Sequence, residues 1–469
     1  MQFKSIGVPQ KTILFFLLLY AVISKNPMLT IAAVTTPFLL YILLWKKNES
    51  PLLFFALMLQ WTSITIKVFY TNFVGIDFVY GFDHYYEINK AYYYSLLGLL
   101  SVAIGIHFII RKFDLKGQSF EESALTFNHR KLVPFYIGVA VLYPILNQYA
   151  YMFGSGLQQP ITKLSDFKWM IFFILMLSSL YHKQWKLFAI ISAFEIVLSL
   201  TGFFSNFKDY FLVIFVGIVL IYGKNIKFKQ AFPLVIVGIS CIYMLIVWQY
   251  VKPTYRQYLT GGEQTQNTIR TREESLNKLA ELVDGVDQTA INDGIKITVD
   301  RLSYIDFFSA TIDYVPRVVP HTNGALWEDA IGRVLKPRLF FPNKTSIDDS
   351  EATNKYSGVM VAGADKGTSI SLGYMTENYI DFRIPGMFIT LFAYGLLIGL
   401  IYKYVMTSSP NVLVGTAMFI PMFFILYAFE SALNKIVGAS IMYLLIYELF
   451  RRYCLKWFLS QVKHYENVD

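Results

Sequence analysis

Charge, cysteine and histidine are all scarce in these 469 residues. Asp, Glu, Lys and Arg together make up only 16% of the chain, against roughly 25% in an ordinary soluble domain. The two cysteines, Cys241 inside an apolar stretch and Cys454 in the basic tail, provide no disulfide framework and no thiolate cluster. The six histidines are scattered singly without ligand spacing, so no metal and no soluble cofactor is expected. No repeat of fixed period, no inverted repeat of the transporter kind and no low-complexity tract is evident.

Hydrophobic residues fill the space, at 55% of the chain, with aromatics at 17%. They come in runs long enough to cross a hydrocarbon layer of about 30 Å as helices. Twelve spans are expected, near 12–24, 28–45, 51–72, 91–110, 132–152, 168–181, 187–205, 209–223, 231–250, 384–403, 411–430 and 436–450. The first is short, but it has no small-residue cleavage site and runs straight into the next span, so it reads as a retained helix. The expected fold is therefore an all-α polytopic membrane protein. Residues 1–250 hold nine spans, 251–383 a large loop, 384–450 three more spans, and 451–469 a basic tail.

The placement of charge orients these spans. Residues 251–385 hold 15 Lys/Arg against 18 Asp/Glu, leaving 26 against 14 in the rest. Basic residues flank the spans instead of forming one folded basic surface, which excludes a nucleic-acid binder. Lys46/Lys47, Arg111/Lys112, Lys183/Lys186, Lys224/Lys227/Lys229 and Arg451/Arg452 fall on one side. The positive-inside rule puts that side and both termini in the cytoplasm, and the 251–383 loop outside. Tyr85/Tyr86 and Tyr92–Tyr94 then suit an aromatic belt at the outer interface.

A loop of this length is not a passive linker. Residues 267–283 read as an amphipathic helix with Ile269, Leu276, Leu279 and Val283 on one face and an Arg270–Glu274 pair. A second helical pattern covers 297–315, with Leu302, Ile305, Phe308, Ile312 and Val315 as its stripe, and a third covers 325–335. Together they predict a helical cap on the bundle mouth. Arg301, Arg317, Arg333, Lys336, Arg338 and Lys344 accumulate in it. Taken singly, each is as well explained by a solvated surface or a local ion pair; Asp300 and Asp306 stand near Arg301. The segment PRLFFPNKT, 337–345, argues for more, because its two prolines hold Arg338 and Lys344 on a stiff backbone beside an apolar patch. Arginine's planar fork matches diphosphate oxygens. At the start of the next span, Glu377 and Asp381 lie one helical turn apart, either as candidate general bases or as acids favoured by a helix N-terminus.

The order Arg301, Gly324, LKPRLFFPNKT, a Gly-rich stretch and GYMTENYIDFRIPGMF resembles the oligosaccharide repeat unit polymerases, the O-antigen polymerase (Wzy-type) family. Pro337, Arg338, Pro342 and Lys344 match a P-R-x-x-x-P-x-K-P segment; Gly373, Glu377, Tyr379, Phe382 and Gly386 match G-x-x-x-E-x-Y-x-x-F-G-x-x-G. Thr345 stands in place of a proline and Arg383 in place of a glycine. The resemblance spans 301–388. It implies a bacterial inner-membrane glycosyltransferase of the multi-span, lipid-phosphosugar (GT-C-like) class that needs no metal. Such an enzyme extends undecaprenyl-diphosphate-linked glycans into O-antigen, capsule or exopolysaccharide, with a chain-length regulator and a flippase as pathway partners. On this reading Glu377, Asp381 and His321 are catalytic candidates. Arg301, Arg317, Arg338, Lys344, Lys208 and Tyr379 would hold the diphosphate and sugar. Lys208, beside Asp209 at a turn, is otherwise half of a salt bridge, and Lys67 in the third span is a further candidate, with Glu430 as a possible partner. An O-antigen ligase, a lipid-linked glycan transporter and a passive scaffold are the rival readings.

Overall fold

A computed structural model describes the whole chain except residues 1–7, 47–48, 84–85, 116–118, 150–160, 162–163, 165, 201–206, 223–227, 263–267, 337–340, 342–343, 345–346, 364–368 and 464–469. The described residues form helices and no sheet; one isolated bridge, Phe127 to Lys463, is the sole β-type pairing among them. In chain order the helices are α1 (Val8–Ile23), α2 (Pro27–Leu44), α3 (Leu52–Val74), α4 (Ile88–Ile110), α5 (Phe120–Leu125), α6 (His129–Tyr149) and α7 (Lys168–Tyr181). They continue with α8 (Trp185–Leu200), α9 (Phe207–Tyr222), α10 (Phe228–Leu259), α11 (Arg272–Asp284), α12 (Gln288–Leu302) and α13 (Asp306–Tyr314). The last are α14 (Ala325–Leu335), α15 (Asp349–Ser357), α16 (Tyr374–Ser408), α17 (Val412–Leu426), α18 (Leu433–Leu449) and α19 (Leu455–Val462).

The protein is an all-α, multi-pass membrane protein. Among the described residues five helical segments are long and apolar enough to cross a membrane: Pro27–Leu44, Leu52–Val74, Ile88–Ile110, Tyr374–Ser408 and Leu433–Val462. Each of the twelve stretches expected from hydropathy contains a helix, but several, such as Lys168–Tyr181 and Val412–Leu426, are shorter than a full crossing. The tightest crossing is between α4 and α16. A Cβ on Gly105 would lie 2.2 Å from the Phe392 carbonyl oxygen, and one on Gly395 would lie 2.2 Å from that of Val102. Without a hydrophobic drive between helices in lipid, this backbone-to-backbone approach is what packs them.

The core is rich in tyrosine, and several of the buried phenols donate to specific acceptors. Tyr92, Tyr374, Tyr443 and Tyr447 are at most 1% exposed. Their hydroxyls donate to Leu29 O (2.8 Å), Gln60 Oε1 (2.8 Å), Met418 O (3.0 Å) and Val405 O (3.3 Å) respectively. Tyr92 is thus a core residue and not part of an interfacial belt; Tyr86, 71% exposed, keeps the expected exposure, and Tyr85 lies outside the described residues.

Helices α12 to α15 gather against α3, α4, α16 and α18, while α11 packs on α10. The expected 267–283 helix starts later, at Arg272, because Thr271 and Glu274 close a reciprocal capping box. Glu274 is therefore turned to Thr271, and Arg270 lies 4.8 Å from the Tyr258 ring centroid instead of pairing with Glu274. Of the expected stripe, Leu279 packs on the Val247–Leu259 cluster of α10, whereas Ile269, Leu276 and Val283 are exposed. The 297–315 pattern breaks into α12 and α13. The Tyr304 amide leaves the helix to donate to Ser63 O of α3 at 3.3 Å, and its hydroxyl donates to Ser371 O. Burial of the stripe survives the break, with Ile305, Phe308 and Val315 at most 1% exposed. The 325–335 helix has the expected bounds, and α15 is an extra helix inside the polar stretch. The acidic helix 374–382 is distinct from the span that follows: Arg383 (φ 58°, ψ −169°) and Ile384 interrupt the helical path.

Candidate functional site

The polar residues of the second motif meet the cap segment 321–327, and their partners are specific. Asp381, 1% exposed, accepts from the Thr322 hydroxyl, from the Leu326 amide (3.1 Å) and from the Trp327 amide (2.9 Å). Those amides are the free donors at the start of α14, so Asp381 caps that helix from across the chain. Asn378 accepts from the Trp327 indole N–H (2.9 Å) and the Thr390 hydroxyl (2.6 Å), and donates to Tyr374 O (2.8 Å). Tyr379 donates to Val315 O at 3.2 Å, its ring flanked by Phe308 and His321 with centroids 5.7 and 5.4 Å away. His321 Nδ1 contacts Ile380 O at 3.0 Å. Three candidates, Asp381, Tyr379 and His321, thus stand together and tie the cap to the acidic helix.

Glu377 is buried one turn earlier and accepts from the Leu433 amide at the start of α18. Asp349 and Lys435 stand close by. Asp349 is itself buried, pairs with Lys435 and accepts from the Ser369 hydroxyl at 2.9 Å. Its other oxygen, Oδ1, is buried with no hydrogen-bond partner among the described residues.

The cations divide. Arg317, in the turn after α13, is exposed and pairs with Asp313 of that helix (Nη2 to Oδ2, 2.6 Å). Lys344 donates to the carbonyls of Arg333 and Lys336, where the C-terminal end of α14 offers unpaired acceptors. Neither joins a shared site. Arg338 and most of PRLFFPNKT lie outside the described residues. Lys67 is 4% exposed and pairs with Asp300 of α12 at 3.0 Å, in place of the expected Glu430.

Arg301 and Lys208 do converge, and they bring two residues that the sequence reading passed over. A Cβ on Gly294 would lie 2.9 Å from Ile246 O, so α12 and α10 run side by side in close contact. This sets Arg301 near Lys252 and Arg256, one turn apart on α10 beyond its apolar stretch, and Lys208 acts on Lys252 as well. Burial, and then Arg301, Arg256 and Lys208, push the Lys252 ammonium down to about 8. Arg256 is lowered by burial and by Arg301. The Lys208 ammonium lies 5.6 Å from the Tyr427 ring centroid, and Tyr427 donates to Asp209 at 3.2 Å. Tyr304 feels both Arg301 of this group and Asp349. Its hydroxyl is pushed up by burial, then by Glu430 and Asp349, while Arg301 opposes the shift. The signal for Lys252 and Arg256 was their i, i+4 spacing in a helix that outlasts its apolar run.

One further acid was missed as a functional candidate. Asp306, half-buried at the start of α13, has its carboxyl pushed up to about 7 by burial, with Asp83 and Asp300 adding to the rise and Lys67 opposing it.

The model of a family described as a domain of unknown function (DUF8712) matches residues 52–456, from the first residue of α3 into α19. No curated protein and no solved structure matches the chain. The chain belongs to the DUF8712 family.

Proposed function

We propose that this protein is a polymerase of lipid-linked oligosaccharides: it transfers a growing glycan from a lipid diphosphate onto a hydroxyl of the next lipid-linked unit and releases the lipid diphosphate. The observation that carries this reading is the gathering of Lys208, Lys252, Arg256 and Arg301 from three helices. Bringing like charges together costs folding free energy, and an anionic ligand offsets that cost. A leaving diphosphate needs such a clamp, because fixed cations stabilise the charge that develops on it. Asp209 acts on this group through Lys208, and Glu430 acts on the neighbouring Tyr304. Asp306 is the carboxyl best tuned to take the acceptor's proton near neutrality. The reading also takes in about twelve membrane passages in a GT-C-like layout, an inner-membrane location and a site on the outer face. Positive-inside bias and the order of motifs support these features.

The test is direct. Purified protein supplied with undecaprenyl-diphosphate-linked repeat units is expected to give a ladder of longer lipid-linked glycans. Arg301→Ala or Lys252→Ala should slow that ladder about a hundredfold, the scale for loss of one oxyanion-stabilising group. Transfer to a lipid A core acceptor with no ladder would instead identify a ligase; neither product would point to transport.

A further inference from the structure

An apolar groove of about 200 Å³ runs between α3, α9 and α17, with Phe55, Met58, Leu59, Leu212, Phe215 and Phe423 among its walls. Phe215 is 50% exposed on its flank, so the groove opens sideways from the bundle. Each wall leads to the cation cluster. On α9, Lys208 stands one turn before Leu212. On α17, Phe423 is followed one turn later by Tyr427, with ring centroids 5.8 Å apart, and the Lys208 ammonium lies against that same Tyr427 ring. On α3, Leu59 and Thr62 precede Ser63, whose carbonyl takes the Tyr304 amide, three residues beyond Arg301. A narrow hydrocarbon-walled groove that ends in cations is complementary to an amphiphile with a long apolar chain and an anionic head.

The geometry points to a lipid-tail site: the groove seats the first units, next to the head, of the hydrocarbon chain of a single-chain lipid diphosphate whose head lies at Lys208, Lys252, Arg256 and Arg301. This assignment rests on the lipid-diphosphate chemistry proposed above and adds where the tail lies and how it arrives. A sideways opening admits a chain from within the bilayer, so the lipid need not leave the membrane to bind. The charged end selects for phosphate.

Photolabelling tests it. Full-length protein in phosphatidylcholine nanodiscs is given undecaprenyl diphosphate carrying a diazirine in its chain, and adducts are mapped by mass spectrometry. Adducts are expected on α9 and α17 around Leu212, Phe215 and Phe423, and unlabelled undecaprenyl diphosphate should suppress them tenfold or more. Undecaprenol should compete at least tenfold less well, and Arg301→Glu or Lys252→Glu should lower labelling by a similar factor. Leu212→Trp, which fills the groove, should abolish groove adducts; Phe215→Arg does the same from a half-exposed position if the tryptophan variant fails to fold. Labelling spread evenly onto exposed Ile239 and Ile242 of α10 would overturn the assignment. So would equal competition by phosphatidylglycerol. Labelling requires no turnover, so groove adducts without a glycan ladder would refute the polymerase reading alone, and a ladder without groove adducts would refute the groove alone.

Discussion

At the residue scale, one of the two positions where this chain departs from the polymerase motif is also strained in its backbone. Arg383 stands where the motif has glycine, and its φ of 58° with ψ near −169° lies in a region that only glycine occupies freely. Arg383→Gly is expected to raise stability by about 1 kcal/mol, read as a higher thermal midpoint with unchanged labelling and turnover. Asp381 offers the opposite case. As the cap of α14 it holds three donors, so Asp381→Ala should cost about 1–3 kcal/mol and loosen the cap to proteolysis. Asp381→Asn keeps an acceptor and should retain most activity, which a general base would not. Asp306 makes a prediction about pH. Folded, its carboxyl keeps its proton up to about 7; unfolded, it loses it near 4. Folding therefore takes up a proton between those values, and this group's contribution to stability is full below pH about 4 and lost as pH rises to about 7. Lys67, Asp83 and Asp300 face it, so Asp306→Asn should flatten the slope of unfolding free energy against pH without reversing it.

At the scale of elements, hydropathy located the helices well and their ends poorly. Runs such as 51–72 and 91–110 are legible because apolar length is a property of the run itself. The break at 303–305 is not, because it is made by Ser63 and Ser371, remote in sequence from Tyr304. The same holds for the site. Arg301 and Lys208 could be named from the sequence, but their company with Lys252 and Arg256 depends on how closely α12 approaches α10 at Gly294. Arg317 and Lys344 look equally cationic as letters, yet each is occupied by a neighbour less than one helix away. What fastens α12 to the bundle is the Lys67–Asp300 pair, with Lys67 buried and Asp300 about half exposed. Lys67→Met should release the α12 end by about 1–3 kcal/mol, less than for a fully buried pair because water reaches Asp300. A double-mutant cycle with Asp300→Asn, read by hydrogen exchange across 288–302, is expected to show positive coupling.

At the scale of the whole molecule, one hydrophobic core runs from the spans into the α13–α15 part of the cap, while α11 packs on a second cluster, Val247–Leu259 of α10. Ile305, Phe308, Val315, Ala330 and Tyr356 belong to the same cluster as Tyr92, Leu391 and Phe423. The cap is therefore a continuation of the bundle, which suits a fixed roof over a site reached from the side. The polar bonds that close this roof come late in the chain: Asp381 and Asn378 serve α14, and Lys435 serves Asp349 of α15. During synthesis, α14 and α15 leave the ribosome before the groups that satisfy them. Until residues 374–435 follow, the start of α14 keeps its donors bare and Asp349 its charge uncompensated. The order of translation thus makes the cap wait for helices that are made after it.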